Sequence, residues 1–100
     1  MINLNGYVCF TTFWQDFTVA EKFGVSAIRD TFSRAFAEWR RDYRYLTELV
    51  MVLNHKCWDF YNRGNDELYE LYLSLYYAAA DYAVDHLKEE ELSYYLRVTD

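Results

Sequence analysis

Proline is absent from this chain, and glycine occurs only at positions 6, 24 and 64, so few residues in it break a helix from within. Long helices with sparse turns follow. Cysteine is scarce too: Cys9 and Cys57 have no paired spacing of the kind that holds zinc or forms a redox motif. The N-terminus lacks the basic start, apolar stretch and small-residue cleavage site of a secretory leader. The expectation is therefore a cytoplasmic protein with reduced thiols, a Cys9–Cys57 disulfide being the alternative. No apolar run reaches the roughly 18 uninterrupted residues that a bilayer span requires, so no membrane association is expected. Basic charge is also in short supply, with ten Lys and Arg against sixteen Asp and Glu and a net charge of −6. That balance disfavours non-specific binding to nucleic acid or to an anionic membrane.

Large apolar side chains, by contrast, are plentiful. Hydrophobic residues make up 53% of the chain and aromatics 21%, with eleven Tyr, seven Phe and three Trp, which is ample for a packed core and excludes disorder. Tyr and Trp also favour binding surfaces, where they give large contact area at low entropic cost. Core filling and an exposed aromatic patch are both open at this point. The charge is unevenly spread. Residues 21–44 carry six bases (Lys22, Arg29, Arg34, Arg40, Arg41, Arg44) against four acids, whereas residues 45–100 carry eleven acids against four bases. A mildly basic second segment thus precedes a strongly acidic second half.

The hydrophobic periodicity and the capping residues predict four to five helices. Residues 1–12 include YVCFTTF, which has strand character but no partner strand, and are read as an extended arm or a first helical turn. Thr18 and Glu21 have the spacing of a capping box for a short helix over about 19–23, extendable back through Phe13 and Trp14, with Gly24 as its stop. Ser26 is the expected cap of a second helix whose Ile28, Phe32, Ala35, Phe36 and Trp39 form a core-facing stripe. A break is expected near 41–45, with Asp42 as a cap. The third helix, over about 44–62, places Leu46, Leu49, Val50, Leu53, Cys57 and Phe60 on one face. Asn65 followed by Asp66 and Glu67 marks the start of a fourth helix running to about Leu87. A short fifth helix begins near Lys88 and Glu89 and ends at Leu96, with Leu92 and Leu96 packing back. The expected fold class is all-α, a compact bundle of four to five helices forming a single domain over residues 1–100.

Within the fourth helix, residues 68–84 read LYELYLSLYYAAADYAV, where only Glu70, Ser74 and Asp81 are plainly polar and fall within about 40° of one another. Such a helix needs cover on most sides. It is either the central helix of the bundle or presents a tyrosine-rich face to another protein.

Chemistry-bearing constellations are few. His55 and Cys57 point about 200° apart on a helix and cannot share a metal. His86 beside Asp85 and Glu89 reads as a solvated residue, and the Asp81/Asp85 pair has no accompanying nucleophile, oxyanion donor or phosphate cradle. No catalytic residue, cofactor or metal ion is expected. The acidic run has more to offer: Glu67, Glu70, Asp81, Asp85, Glu89 and Glu90, interleaved with Tyr69, Tyr76 and Tyr77, can present carboxylates to the basic groove of a nucleic-acid-binding protein in place of phosphates. Those nine residues are the candidate partner-binding site.

Two resemblances bear on function. FTVAEKFGVSAIRDTFSRAF at 17–36 resembles the helix-turn-helix family through Ala20, Gly24, Val25, Ser26 and Ile28, although Thr31, Phe32, Ser33 and Arg34 arrive two positions late, a rotation of about 200°. It implies a DNA-binding regulator using Arg29, Arg34, Arg40 and Arg41. TTFWQDFTVAEKFG at 11–24, LTELVMVLNHKCWDFY at 46–61 and LSYYLRVTD at 92–100 are together similar to a group of short uncharacterised helical proteins carried by bacterial prophages and conjugative elements. That group has no assigned activity, so the resemblance implies a genetic setting and no functional residues. In such a setting the expected role is an interaction module that binds and inhibits a host defence nuclease, of anti-CRISPR or anti-restriction type, through its acidic, tyrosine-rich surface. The alternatives are the helix-turn-helix-like regulator and a homo-oligomeric accessory protein pairing through Tyr69, Leu73, Tyr76, Ala80 and Val84.

Overall fold

The computed structural model describes the backbone of residues 4–99 and the side chains of residues 10–99. Five helices follow one another with short turns: α1 (Leu4–Glu21), α2 (Val25–Trp39), α3 (Tyr43–Asn62), α4 (Asp66–His86) and α5 (Glu90–Thr99). There is no strand among the described residues. The stretch with strand character is instead the start of α1, which begins at Leu4. A lone strand would leave its backbone groups unpaired, whereas a helix satisfies them within itself. The all-α bundle is the observed architecture, with a Cα radius of gyration of 13.1 Å.

α3 is the central helix, packed against each of the other four and most extensively against α4. Of the two readings of the tyrosine-rich α4, the central helix of the bundle is the one this arrangement removes. The stripe Leu46, Leu49, Val50, Leu53, Cys57 and Phe60 is buried as its spacing predicts, but α3 also buries Val52 and Lys56 beyond one edge of it and Thr47 beyond the other. A helix buried over so wide an arc suits the middle of a bundle. The single wet stripe of α4 is present, but one flank of the helix has no covering element and leaves Tyr77 and Val84 exposed.

The turns have legible causes. Asp42 caps α3 by accepting a hydrogen bond from the Arg44 N–H at 3.0 Å, and Asn65 caps α4 by accepting from the Leu68 N–H at 3.1 Å. The end of α3 is a Schellman motif: the Asn65 N–H donates to the Phe60 carbonyl and the Gly64 N–H to the Tyr61 carbonyl, with Gly64 at φ 73°. Two expected caps are not caps. Thr18 lies inside α1, where its hydroxyl donates to the Trp14 carbonyl at 2.8 Å. The N-cap of α2 is Gly24, at φ 110°, and not Ser26. In α5 it is Tyr95 that is buried, while Leu96 is exposed.

A polar cluster pins α1, α3 and α4 together inside the bundle. The Lys56 side chain is 2% exposed, and its ammonium reaches Thr18 Oγ1 at 2.6 Å, Glu21 Oε2 at 3.0 Å and the face of the Trp14 ring at 4.0 Å. Three partners meet the three ammonium hydrogens. The Tyr72 hydroxyl donates to the same Glu21 oxygen at 2.6 Å, and its ring lies between Phe17 and Phe60. Burial, then the hydrogen bond to Glu21, pushes the Tyr72 phenol far above its ordinary value. Cys57 is a buried free thiol with Sγ 3.8 Å from the Tyr69 carbonyl, and the Cys9 side chain lies outside the described residues.

Candidate functional site

Helical geometry sorts the nine candidate residues into groups. Glu67, Glu70, Asp81 and Asp85 fall within about 60° of arc along α4, joined by Ser74, Tyr77 and Ala78. All seven are solvent-exposed. Glu67 sits in the first turn of α4 beside Asp66, at the positive end of the helix dipole. Neither these carboxylates nor Glu89 and Glu90 form an ion pair among the described residues. The stripe therefore carries an uncompensated negative field on one side of the molecule.

The remaining candidates lie elsewhere. Tyr69 is half-buried on the flank of α4 that meets α3, in an aromatic cluster with Tyr61 at 5.2 Å and Trp58 at 6.5 Å between ring centroids. Partial burial, then the neighbouring Cys57, Tyr61, Tyr77 and Glu70, pushes its phenol up. Tyr76 is half-buried, 5.5 Å from Tyr77, and is an electrostatic neighbour of Tyr95. Tyr95 is itself pushed up to about 12, chiefly by burial. Glu89 and Glu90 follow the end of α4 at Leu87, which is extended, with Glu89 at φ 54° and Glu90 in the first turn of α5. The structure thus assembles Glu67, Glu70, Tyr77, Asp81 and Asp85 into one strip and places Tyr69 on its flank.

Trp58 and Tyr61 escaped the sequence reading. Both are about half-exposed on α3 and in edge contact at 5.3 Å, extending the aromatic surface beside Tyr69. Trp58 lies about 80° beyond the edge of the core stripe, which was the available signal for it, whereas Tyr61 falls at the stripe's edge and its spacing gives no sign of exposure. A second feature also escaped it: a groove of about 860 Å³ between α1 and α2, floored by Phe13, Ala20 and Thr31 and closed at one end by Trp39 and Tyr45.

The arginines of the helix-turn-helix reading are dispersed. Arg29 and Arg34, both exposed on α2, project about 140° apart. Arg40 lies over the Phe36 ring at 5.9 Å, and Arg34 lies on the rim of the α1–α2 groove among acidic side chains. Among the described residues, no three His, Cys, Asp or Glu side chains converge to hold a metal ion, and no helix is long and apolar enough to cross a membrane. No family model, curated protein or solved structure matches the chain.

Proposed function

We propose that this protein is an interaction module that engages a basic-surfaced protein through the outer strip of α4, with Glu67, Glu70, Asp81 and Asp85 as the charged contacts and Tyr77 as the aromatic anchor. The observation that carries the reading is the strip of carboxylates without a cationic partner, running about 27 Å along a well-capped helix. Unpaired acids on one side attract a basic surface and speed its encounter, and an exposed tyrosine among them adds contact area at low entropic cost. Four carboxylates over that length are far sparser than duplex DNA, which carries a charge per about 1.7 Å. The strip therefore offers a few placed carboxylates rather than a copy of a phosphate ladder.

In the mobile-element setting implied by the resemblance, the partner would be a host defence nuclease whose basic nucleic-acid groove the strip blocks. The test is a pull-down of the tagged protein from host lysate at low and moderate salt, with the complex sized by light scattering. A stoichiometric basic nuclease, lost as salt rises and lost in the variant Glu70→Lys/Asp81→Lys/Asp85→Lys, is the expected result. Undiminished capture by that variant would remove α4 from the account.

A further inference from the structure

We propose that the groove between α1 and α2 docks an amphipathic helix of a partner protein, one whose apolar face is flanked by lysine or arginine. The groove is built from one face of each helix. α1 contributes Thr12, Asp16 and Val19 and α2 contributes Ala27, Thr31 and Arg34, each at three- and four-residue steps, and Phe23 joins them from the turn between the two helices. Small side chains at Ala20, Ala27, Thr31 and Ala35 keep the middle low. Phe23 and Val19, which are 78% and 53% exposed, stand at the end opposite Trp39 and Tyr45. Phe23 is the most exposed large apolar side chain among the described residues, and its position at the mouth of a groove gives that exposure a use.

The length and charge of the groove choose the occupant. From Thr12 to Phe23 the wall runs about 16 Å, or three helical turns, which matches a helix bearing anchors at i, i+3, i+4 and i+7. The rim carries Asp16, Asp30 and Glu38 against the single cation Arg34, and none of the three acids forms an ion pair among the described residues. A basic flank on the incoming helix neutralises that rim. A second copy of this groove, docked face to face, would bring six carboxylates together against two arginines and is disfavoured by like charge. No residue lining the groove belongs to α4, so this surface is separate from the acidic strip.

A fluorescein-labelled helical peptide of about twelve residues, with leucines at i, i+3, i+4 and i+7 and flanking lysines, tests the assignment by fluorescence anisotropy. Its counterpart with flanking glutamates is the charge control. The lysine peptide should bind saturably, and the glutamate peptide at least about tenfold more weakly. Phe23→Ser and, separately, Asp30→Lys/Glu38→Lys should each weaken the lysine peptide by at least about tenfold. The residues changed are all exposed, and helix content by circular dichroism checks that each variant is folded. Asp81→Lys/Asp85→Lys on α4 should leave the affinity unchanged. Absence of saturable binding, equal binding of the two peptides, indifference to Phe23→Ser, or loss of binding in the α4 variant would each overturn the proposal. So would a homodimer, seen by light scattering, that Phe23→Ser dissociates, since that would assign the groove to a second copy.

Discussion

Lys56 is the residue whose environment is least visible from its neighbours in sequence. It hydrogen-bonds to a threonine 38 positions away, and the tyrosine that shares its glutamate is 51 positions from that glutamate. Local spacing offers Thr18 and Glu21 as a capping box, and only the packing of α1 on α3 turns both toward a buried ammonium. Removing one member of a buried ion pair strands the other, at a cost of about 3 to 5 kcal/mol. Lys56→Met should destabilise the protein by that order in urea denaturation. The double variant Lys56→Met/Glu21→Gln should cost less than the sum of the two single changes, because neither charge is left alone. Glu48 behaves oppositely. Burial without an ion pair among the described residues raises its carboxyl above the ordinary value of 4.5. The folded state then holds the proton more tightly than the unfolded chain, so ionisation at neutral pH weakens the fold, and the deficit is relieved as pH falls through the raised value. Glu48→Gln is expected to raise the urea midpoint at pH 7, and the gain should vanish below pH 4.5.

At the scale of single elements, turn chemistry was legible wherever one side chain or one backbone angle decides it. Asp42, Asn65, Gly24 and Gly64 all punctuate the chain where their types indicate, because their effect acts within two or three residues. Ser26 was misplaced because Gly24 had already taken the N-cap position, and Thr18 because a hydroxyl inside a helix has the same spacing as one at its start. The two turn glycines differ in a testable way. Gly24, at φ 110° and ψ −176°, lies in a region that only glycine populates freely, whereas Gly64, at φ 73°, is near the left-handed region that asparagine tolerates. An added Cβ meets open space at both, so backbone strain alone sets the cost. Gly24→Asn should cost about 1 to 3 kcal/mol, and Gly64→Asn less than about 1 kcal/mol, in thermal or urea unfolding.

For the whole molecule, charge is segregated and mostly unpaired. Only three ion pairs occur among the described residues, and none engages a carboxylate of α4 or α5. Moderate salt screens the mutual repulsion of these acids. Raising salt should therefore raise the urea midpoint of the isolated protein, and Glu70→Lys/Asp81→Lys/Asp85→Lys should flatten that dependence. The all-α class with four to five helices, the core face of α3 and the acidic character of α4 were determined by the sequence alone, because helical periodicity, capping and charge are properties of neighbours along the chain. The tertiary structure decided that α3 rather than α4 occupies the centre, that Lys56 is buried and paired, that Trp58 and Tyr61 join Tyr69 at the surface, and that a groove opens between α1 and α2. Each of those depends on the angle and order in which helices pack, and neither is encoded within any single turn of helix.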